Sequence, residues 1–317
     1  MNTIPRRRIG TDGPETGILA LGSWHTYDRM PFAQTVELLR AAHDAGITLF
    51  DVGVYGTPDQ PPVFTDVIFN AAIRAAGIAR SDYLLCAKLW LEDYPGQSLR
   101  DQLEHALMRA GAGHADVAVL GDIHDQDIDL ERLVFDLAEL NDAGLLGVWG
   151  VNNYSASSVQ TMIDAAARHG VRGPALAQLK YSVARRSVAD GAPWAAIFAQ
   201  GVTLEASDVL EGGLLLGKSG RAIGRDPGGV QRRITDDVAP ELRRLSGELG
   251  TTPAQLCVAF TLTHPYLSTT LFGATSLAQL RDNLGAVDLL AQVGPDRLRE
   301  LVTPLWADRD TVDPAAP

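Results

Sequence analysis

The stretch GITLFDVGVYG, residues 46–56, decides how the chain is read. Gly46 follows an amphipathic stretch, and ITLFD (47–51) is a short apolar run that ends on an acid, with Tyr55 just beyond it. An apolar run of this length, preceded by a helix and its stopping glycine, reads as a buried parallel strand. The same unit recurs along the chain. Apolar runs stand at ILALGSW (18–24), YLLCAK (83–88), ADVAVLGDIH (115–124), LGVWGV (146–151), ALAQLKY (175–181), VTLEAS (202–207) and STTLFG (268–273). Between them lie stretches such as SLRDQLEHALMRAGA, which carries Leu99, Leu103, Ala106, Leu107 and Ala110 at helical spacing. Gly77, Gly144, Gly170 and Gly250 close other such stretches. Eight strand–helix units predict an α/β fold, a (β/α)8 TIM barrel, in preference to a doubly wound sheet. The G-x-G-x-x-G fingerprint is missing after the first strand, which disfavours a Rossmann domain.

Residues 5–18, with Gly10, Gly13 and Pro14, predict an N-terminal β-hairpin that plugs the barrel bottom. Arg6-Arg7-Arg8 is expected on a solvated hairpin strand or terminus. The Gly- and Arg-rich segment 208–235 is too long for a simple connection and reads as either a functional or a disordered loop. The chain is expected to form a single domain over 1–317, with 305–317 as a flexible tail. A net charge of −12 argues against a nucleic-acid partner, since an acidic protein repels phosphate backbones. Cys86 and Cys257 are far apart among apolar neighbours and read as buried thiols, not a disulfide framework. With no signal-peptide core and no bilayer-length apolar run, a cytoplasmic location and no membrane partner are expected.

In a TIM barrel the site lies at the C-terminal strand ends. Asp51, Lys88 and His124 end three consecutive strands, and Tyr55 follows the first of them. Singly, each has a plain reading as a turn acid, a solvated lysine, a satisfied histidine or a packing tyrosine. Together they suit carbonyl reduction. Hydride arriving at carbon leaves an oxygen that needs a proton, and tyrosine, a weak acid with a reference pKa of about 10, can give it if an ammonium lies near. In that reading Lys88 tunes Tyr55, Asp51 fixes Lys88, and His124 hydrogen-bonds the carbonyl. Trp24, His25 and Trp90 are expected to wall the substrate pocket, whereas Trp149 reads as facing the helix layer. Pro58, Pro61 and Pro62 are expected to stiffen a rim loop after Tyr55. Asp122, Asp125 and Asp127 near His124 show no regular ligand spacing, so no metal is expected.

The sequence resembles the aldo-keto reductase family from about residue 9 to about residue 290. That family's Asp, Tyr, Lys and His map in order onto FDVGVYG, CAKLW and DIH. GVNN (150–153) approximates its G-V-S-N run, Gln178 in AQLKY its nicotinamide glutamine, and GGLLLGK (212–218) its G-G-L-L-T-G-K loop. FGATSLAQLRDN resembles its late cofactor segment. The resemblance implies an NAD(P)(H)-dependent oxidoreductase with a small-molecule carbonyl substrate, using NADP(H) in preference to NAD(H). The cofactor residues it implies are Asn152, Asn153, Gln178, Ser207, Asp208, Leu210, Gly212, Lys218, Gly273, Ala274, Thr275, Ser276, Gln279 and Asn283.

The departures carry information. The family usually reads F-D-T-A-x-x-Y-G, one residue longer, and Gly53 replaces its alanine; together these are expected to displace the Tyr55 hydroxyl and leave its donor role open. Asn152 replaces a serine, and Ser207 the aromatic that stacks on nicotinamide. Asp208 replaces a serine near the pyrophosphate, where an added carboxylate is unfavourable. The usual basic residue for a 2′-phosphate appears as Gly273 or Gln279, leaving Lys218, Arg221 or Arg225 as substitutes. These changes keep two alternatives open: a barrel turned to a redox-neutral dehydration, isomerisation or cyclisation, and a non-catalytic cofactor-sensing subunit.

Overall fold

The computed structural model describes residues 4–57, 60–123, 128–218 and 226–315. In chain order the strands are β1 (Arg6–Arg8), β2 (Glu15–Gly17), β3 (Leu19–Gly22), β4 (Leu49–Val52), β5 (Val54–Thr57), β6 (Gln60–Phe64), β7 (Leu84–Leu89), β8 (Ala115–Leu120), β9 (Leu146–Asn152), β10 (Leu176–Lys180), β11 (Thr203–Ser207) and β12 (Leu267–Phe272). Eight of them close a parallel barrel in the order β3-β4-β7-β8-β9-β10-β11-β12, with β12 pairing back to β3. This is the (β/α)8 barrel expected from the alternation, and each of the eight apolar runs overlaps one barrel strand.

The helices form where the apolar spacing placed them. Helix Leu99–Ala110 buries Leu99, Leu103, Ala106, Leu107 and Ala110, and the Ser98 side chain caps its start by accepting from the Asp101 N–H. Helix Ala156–His169 stops at Gly170, whose φ of +65° is open to glycine at little cost. No described helix is long and apolar enough to cross a membrane.

Side chains alternate along each strand, so every second residue faces the barrel axis. Ile9, Ala20, Leu49, Cys86, Val117, Val119, Val148 and Leu176 form one apolar cluster within it. Ile9 comes from the β1–β2 hairpin, which therefore plugs the bottom as expected. Arg7 departs from the solvated reading: its guanidinium donates to the Leu267 carbonyl at 2.9 Å and tethers the hairpin to β12. Outward residues such as Phe50 and Trp149 are buried in the larger cluster between barrel and helices. Trp149 is fully buried there, and its indole N–H donates to the Arg172 carbonyl at 3.3 Å. Both cysteines are free and buried.

The C-terminal segment differs from the expected tail. Asp308 is buried, and its Oδ1 accepts from the Arg186 N–H at 3.1 Å, the Ser187 hydroxyl at 3.0 Å and the Trp306 indole at 2.6 Å. Arg186 also stacks 5.4 Å from the Trp306 ring. Chain ends commonly fray, but one carboxylate satisfying several donors anchors this segment. Asp308→Ala is expected to lower unfolding free energy by about 2–3 kcal/mol in a urea titration, because it strands buried donors. A frayed tail would make the change silent.

Candidate active site

Above the apolar cluster the inward positions turn polar. Asp51 follows Leu49 two residues on, Lys88 follows Cys86, and Gln178 follows Leu176, so strand periodicity aims all three at one point. Asp51 is 1% exposed and the Lys88 side chain 6%. Lys88 Nζ lies 2.8 Å from Asp51 Oδ2 and donates to Gln178 Oε1 at 2.6 Å. The Gln178 amide donates in turn to Asp51 Oδ2 at 3.0 Å, closing a triangle. A buried ion pair holds only when hydrogen bonds satisfy both partners, and the glutamine does that here. Burial opposes the charged form of Lys88, yet Asp51, then Cys86 and Glu205, outweigh it and hold its pKa above the ordinary lysine range.

Tyr55 sits on β5, which pairs antiparallel with β6 in a hairpin at the barrel mouth. The expected rim loop is thus a two-stranded element, with Tyr55 opposite Val63; Pro58 lies outside the described residues. Gly53 allows the tight turn into it. A Cβ there would stand 3.1 Å from both Cβ and Cγ of Lys88. The Thr65 hydroxyl donates to the Gly53 carbonyl at 2.7 Å and fixes the turn.

The Tyr55 hydroxyl donates to Asp51 Oδ1 at 3.2 Å. Asp51 therefore bridges phenol and ammonium, one through each oxygen. The expected arrangement set the ammonium directly against the phenol and lowered its pKa. Here burial first, and then the Asp51 charge, push Tyr55 well above the ordinary tyrosine value, against a smaller opposing hydrogen bond from Ser23. The shortened Asp51–Tyr55 spacing gives the physical reason, since it seats the hydroxyl on the carboxylate. Trp24 and Trp90 flank the Tyr55 ring at 6.4 and 5.9 Å between centroids. Trp90 is fixed by its indole N–H, which donates to the Val54 carbonyl at 2.9 Å. The His25 ring lies tilted against Trp24 with 4.6 Å between centroids and contacts Arg29 through Nδ1 at 2.7 Å.

Other expected residues gather on the same rim. Asn152 ends β9 and donates to Asp122 Oδ1 at 2.6 Å, while Asn153 Oδ1 accepts from the Lys180 N–H at 3.0 Å. Ser207 ends β11, and Asp208 follows it with a positive φ of 52°. Asp208 is not an unopposed negative charge, because Lys180 Nζ lies 3.1 Å from its Oδ2. Leu210 and Gly212 lie at the start of the turn Glu211–Leu216, and Lys218 is exposed beyond it. Gly273, Ala274, Thr275 and Ser276 lead from β12 into helix Leu277–Leu284, which contains Gln279 and the buried Asn283. The Gln279 side chain accepts from the Thr275 N–H at 2.8 Å, so it braces its own turn. His124, Asp125, Asp127, Arg221 and Arg225 lie outside the described residues. Among those described, no group of three or more His, Cys, Asp or Glu is placed to hold a metal ion.

Two polar residues escaped the sequence reading. Lys180 shares the inward face with Gln178, two residues earlier. Glu205 of VTLEAS lies in register between Gln178 on β10 and Thr269 on β12 and is completely buried. Its inward parity with Ser207 was the available signal. Burial, reinforced by Asp51 and opposed by Lys88 and Gln178, raises its carboxyl to about 7.

Against this geometry the Aldo/keto reductase family profile matches residues 18–294. The chain belongs to the aldo/keto reductase family. Similar proteins include a putative voltage-gated potassium channel subunit beta of Schizosaccharomyces pombe, 26% identical over 94% of this chain and 92% of that protein. A probable voltage-gated potassium channel subunit beta of Arabidopsis thaliana is 26% identical over 93% of this chain and 96% of its own length. One from Oryza sativa is 25% identical over 92% and 93% respectively. Family membership makes an NAD(P)H-dependent oxidoreductase the class to which the cluster belongs.

Lys88→Met leaves Asp51 and Glu205 without their shared cation. The raised Glu205 pKa means the folded protein holds that proton more tightly than the unfolded chain. The associated stability is present below the ordinary glutamate range and lost as pH rises through about 7. Removing the ammonium should cost about 3–5 kcal/mol in urea unfolding, more at about pH 8 than at about pH 5. An equal loss at both would contradict this reading.

Proposed function

We propose that this aldo/keto reductase reduces an aldehyde or ketone to an alcohol, with Tyr55 as proton donor and NADP(H) in preference to NAD(H). The observation that carries the reading is Asp51 bridging the Tyr55 hydroxyl and Lys88 Nζ at the floor of an aromatic mouth. The residues present fit a nicotinamide dinucleotide. Asn152, Asn153, Gln178 and Ser207 offer amide and hydroxyl groups at adjacent strand ends. The turn Gly273–Ser276 leads into a helix N-terminus, where backbone N–H groups suit phosphate. At Gly273 a Cβ would come within 2.8 Å of Thr26 Cγ2, so a side chain would crowd this turn. Lys180 neutralises Asp208 and removes the objection that carboxylate raised. Leu210, Gly212, Lys218, Gln279 and Asn283 belong to the surrounding segments.

When bound, the nicotinamide supplies the hydride. Tyr55 supplies the proton: its hydroxyl is kept protonated by burial and by Asp51, the form that can donate. As negative charge develops on the substrate oxygen, Tyr55 transfers its proton there. Lys88 then offsets the charge left on the phenolate, while Asp51 and Gln178 hold the ammonium in place. His124 is assigned the orienting hydrogen bond to the carbonyl. Trp24 and Trp90 limit water around Tyr55 and favour an apolar substrate body.

A second reading, assembly with a potassium channel, rests on the names of the relatives and predicts cofactor binding without turnover. The test is NADPH and NADH binding by fluorescence, followed by turnover of 4-nitrobenzaldehyde. Tyr55→Phe is expected to keep NADPH affinity within about twofold and to lower kcat by about 10²–10⁴-fold. Wild-type protein that binds neither cofactor would overturn the redox assignment; binding with no turnover of any carbonyl would favour the second reading.

A further inference from the structure

Glu205 has no part in the chemistry above, yet it is completely buried on barrel strand β11. Its neighbours by register are Gln178, whose side chain also bonds Lys88 and Asp51, and Thr269. Among the described residues, neither Glu205 oxygen meets a partner in full hydrogen-bond geometry, nor does the Thr269 hydroxyl, although the Gln178 side chain lies close enough to favour the ionised carboxyl. The charged and titratable groups facing it are Asp51 from β4 and Lys88 and Cys86 from β7. Lys88 thus serves two carboxyl groups, of which only Asp51 is directly bonded.

We propose that Glu205 is a positioning residue for the reacting cluster: a second carboxyl group behind Lys88 that, by binding or releasing one proton, sets how much of the ammonium's charge acts on Asp51 and Tyr55. The proposal rests on the reductase reading. No electrons move; the carboxylic acid becomes a carboxylate and the proton passes to solvent. With Glu205 neutral, the positive charge of Lys88 is directed at Asp51 and at the negative charge left on Tyr55 during reduction. With Glu205 ionised, part of that charge is neutralised and Tyr55 becomes a poorer donor. Burial and the Asp51 charge place this change near neutral pH. Carbonyl reduction should therefore slow as pH rises through neutrality.

The experiment has a kinetic arm and an infrared arm. In the first, kcat/KM for 4-nitrobenzaldehyde with NADPH should fall about fivefold to tenfold between about pH 6 and about pH 8. Glu205→Gln should lose that inflection, and Glu205→Asp should restore one at a shifted pH. Profiles that superimpose on wild type would overturn the proposal. In the second arm, the C=O stretch of a protonated carboxyl group is followed against pH without cofactor or substrate. Wild type should show a band that disappears near neutrality, that Glu205→Gln lacks, and whose midpoint moves upward in Lys88→Met. A band unmoved by Lys88→Met, or no such band, overturns the coupling whatever the kinetics show. A band that behaves as described in a protein with no turnover rejects the reductase reading and leaves the coupling standing. Should Glu205→Gln fail to fold, Glu205→Asp assigns the band by shifting it.

Discussion

The site depends on keeping one lysine charged inside the barrel. Taking an ammonium out of water costs several kcal/mol unless a counter-charge and hydrogen bonds replace the lost hydration. Asp51 at 2.8 Å supplies the charge, and Gln178 bonds both members of the pair. Strands β4, β7 and β10 each contribute one inward side chain to this triangle. A shift of one residue in any of them would turn its polar group toward the helices. Barrel register and active-site electrostatics are therefore one constraint.

The hairpin after β4 adds the phenol on different terms from those expected. With Gly53 closing the turn over Lys88, Tyr55 reaches the carboxylate that holds the lysine. The resting phenol is consequently held in its protonated form and is not partly ionised. Under the proposed reduction, its acidity would have to rise as negative charge grows on the substrate oxygen, which would put the electrostatic work of Lys88 in the transition state.

Most of the barrel was legible because alternation of apolar runs and amphipathic stretches follows directly from strand and helix periodicity. Asp51, Lys88 and Gln178 were legible because each ends or nearly ends an apolar run. Tyr55 was legible in identity but not in partner, since the path of residues 52–55 depends on a hairpin whose proline-rich second strand does not resemble one. Glu205 and Lys180 lay inside strings taken as plain strands; only inward parity marks them, and parity is clear once neighbouring registers are known. Asp308 escaped for another reason. Its anchoring role comes from donors more than a hundred residues away, which no local pattern encodes.

The bridging role of Asp51 is tested most directly by titrating the Tyr55 phenol in the cofactor-free protein. Ultraviolet difference spectra of wild type against Tyr55→Phe isolate its ionisation. The bridge requires that phenolate absorbance appear only above the ordinary tyrosine pKa of about 10. Ionisation of Tyr55 below that value would place the ammonium, not the carboxylate, against the phenol and contradict the account.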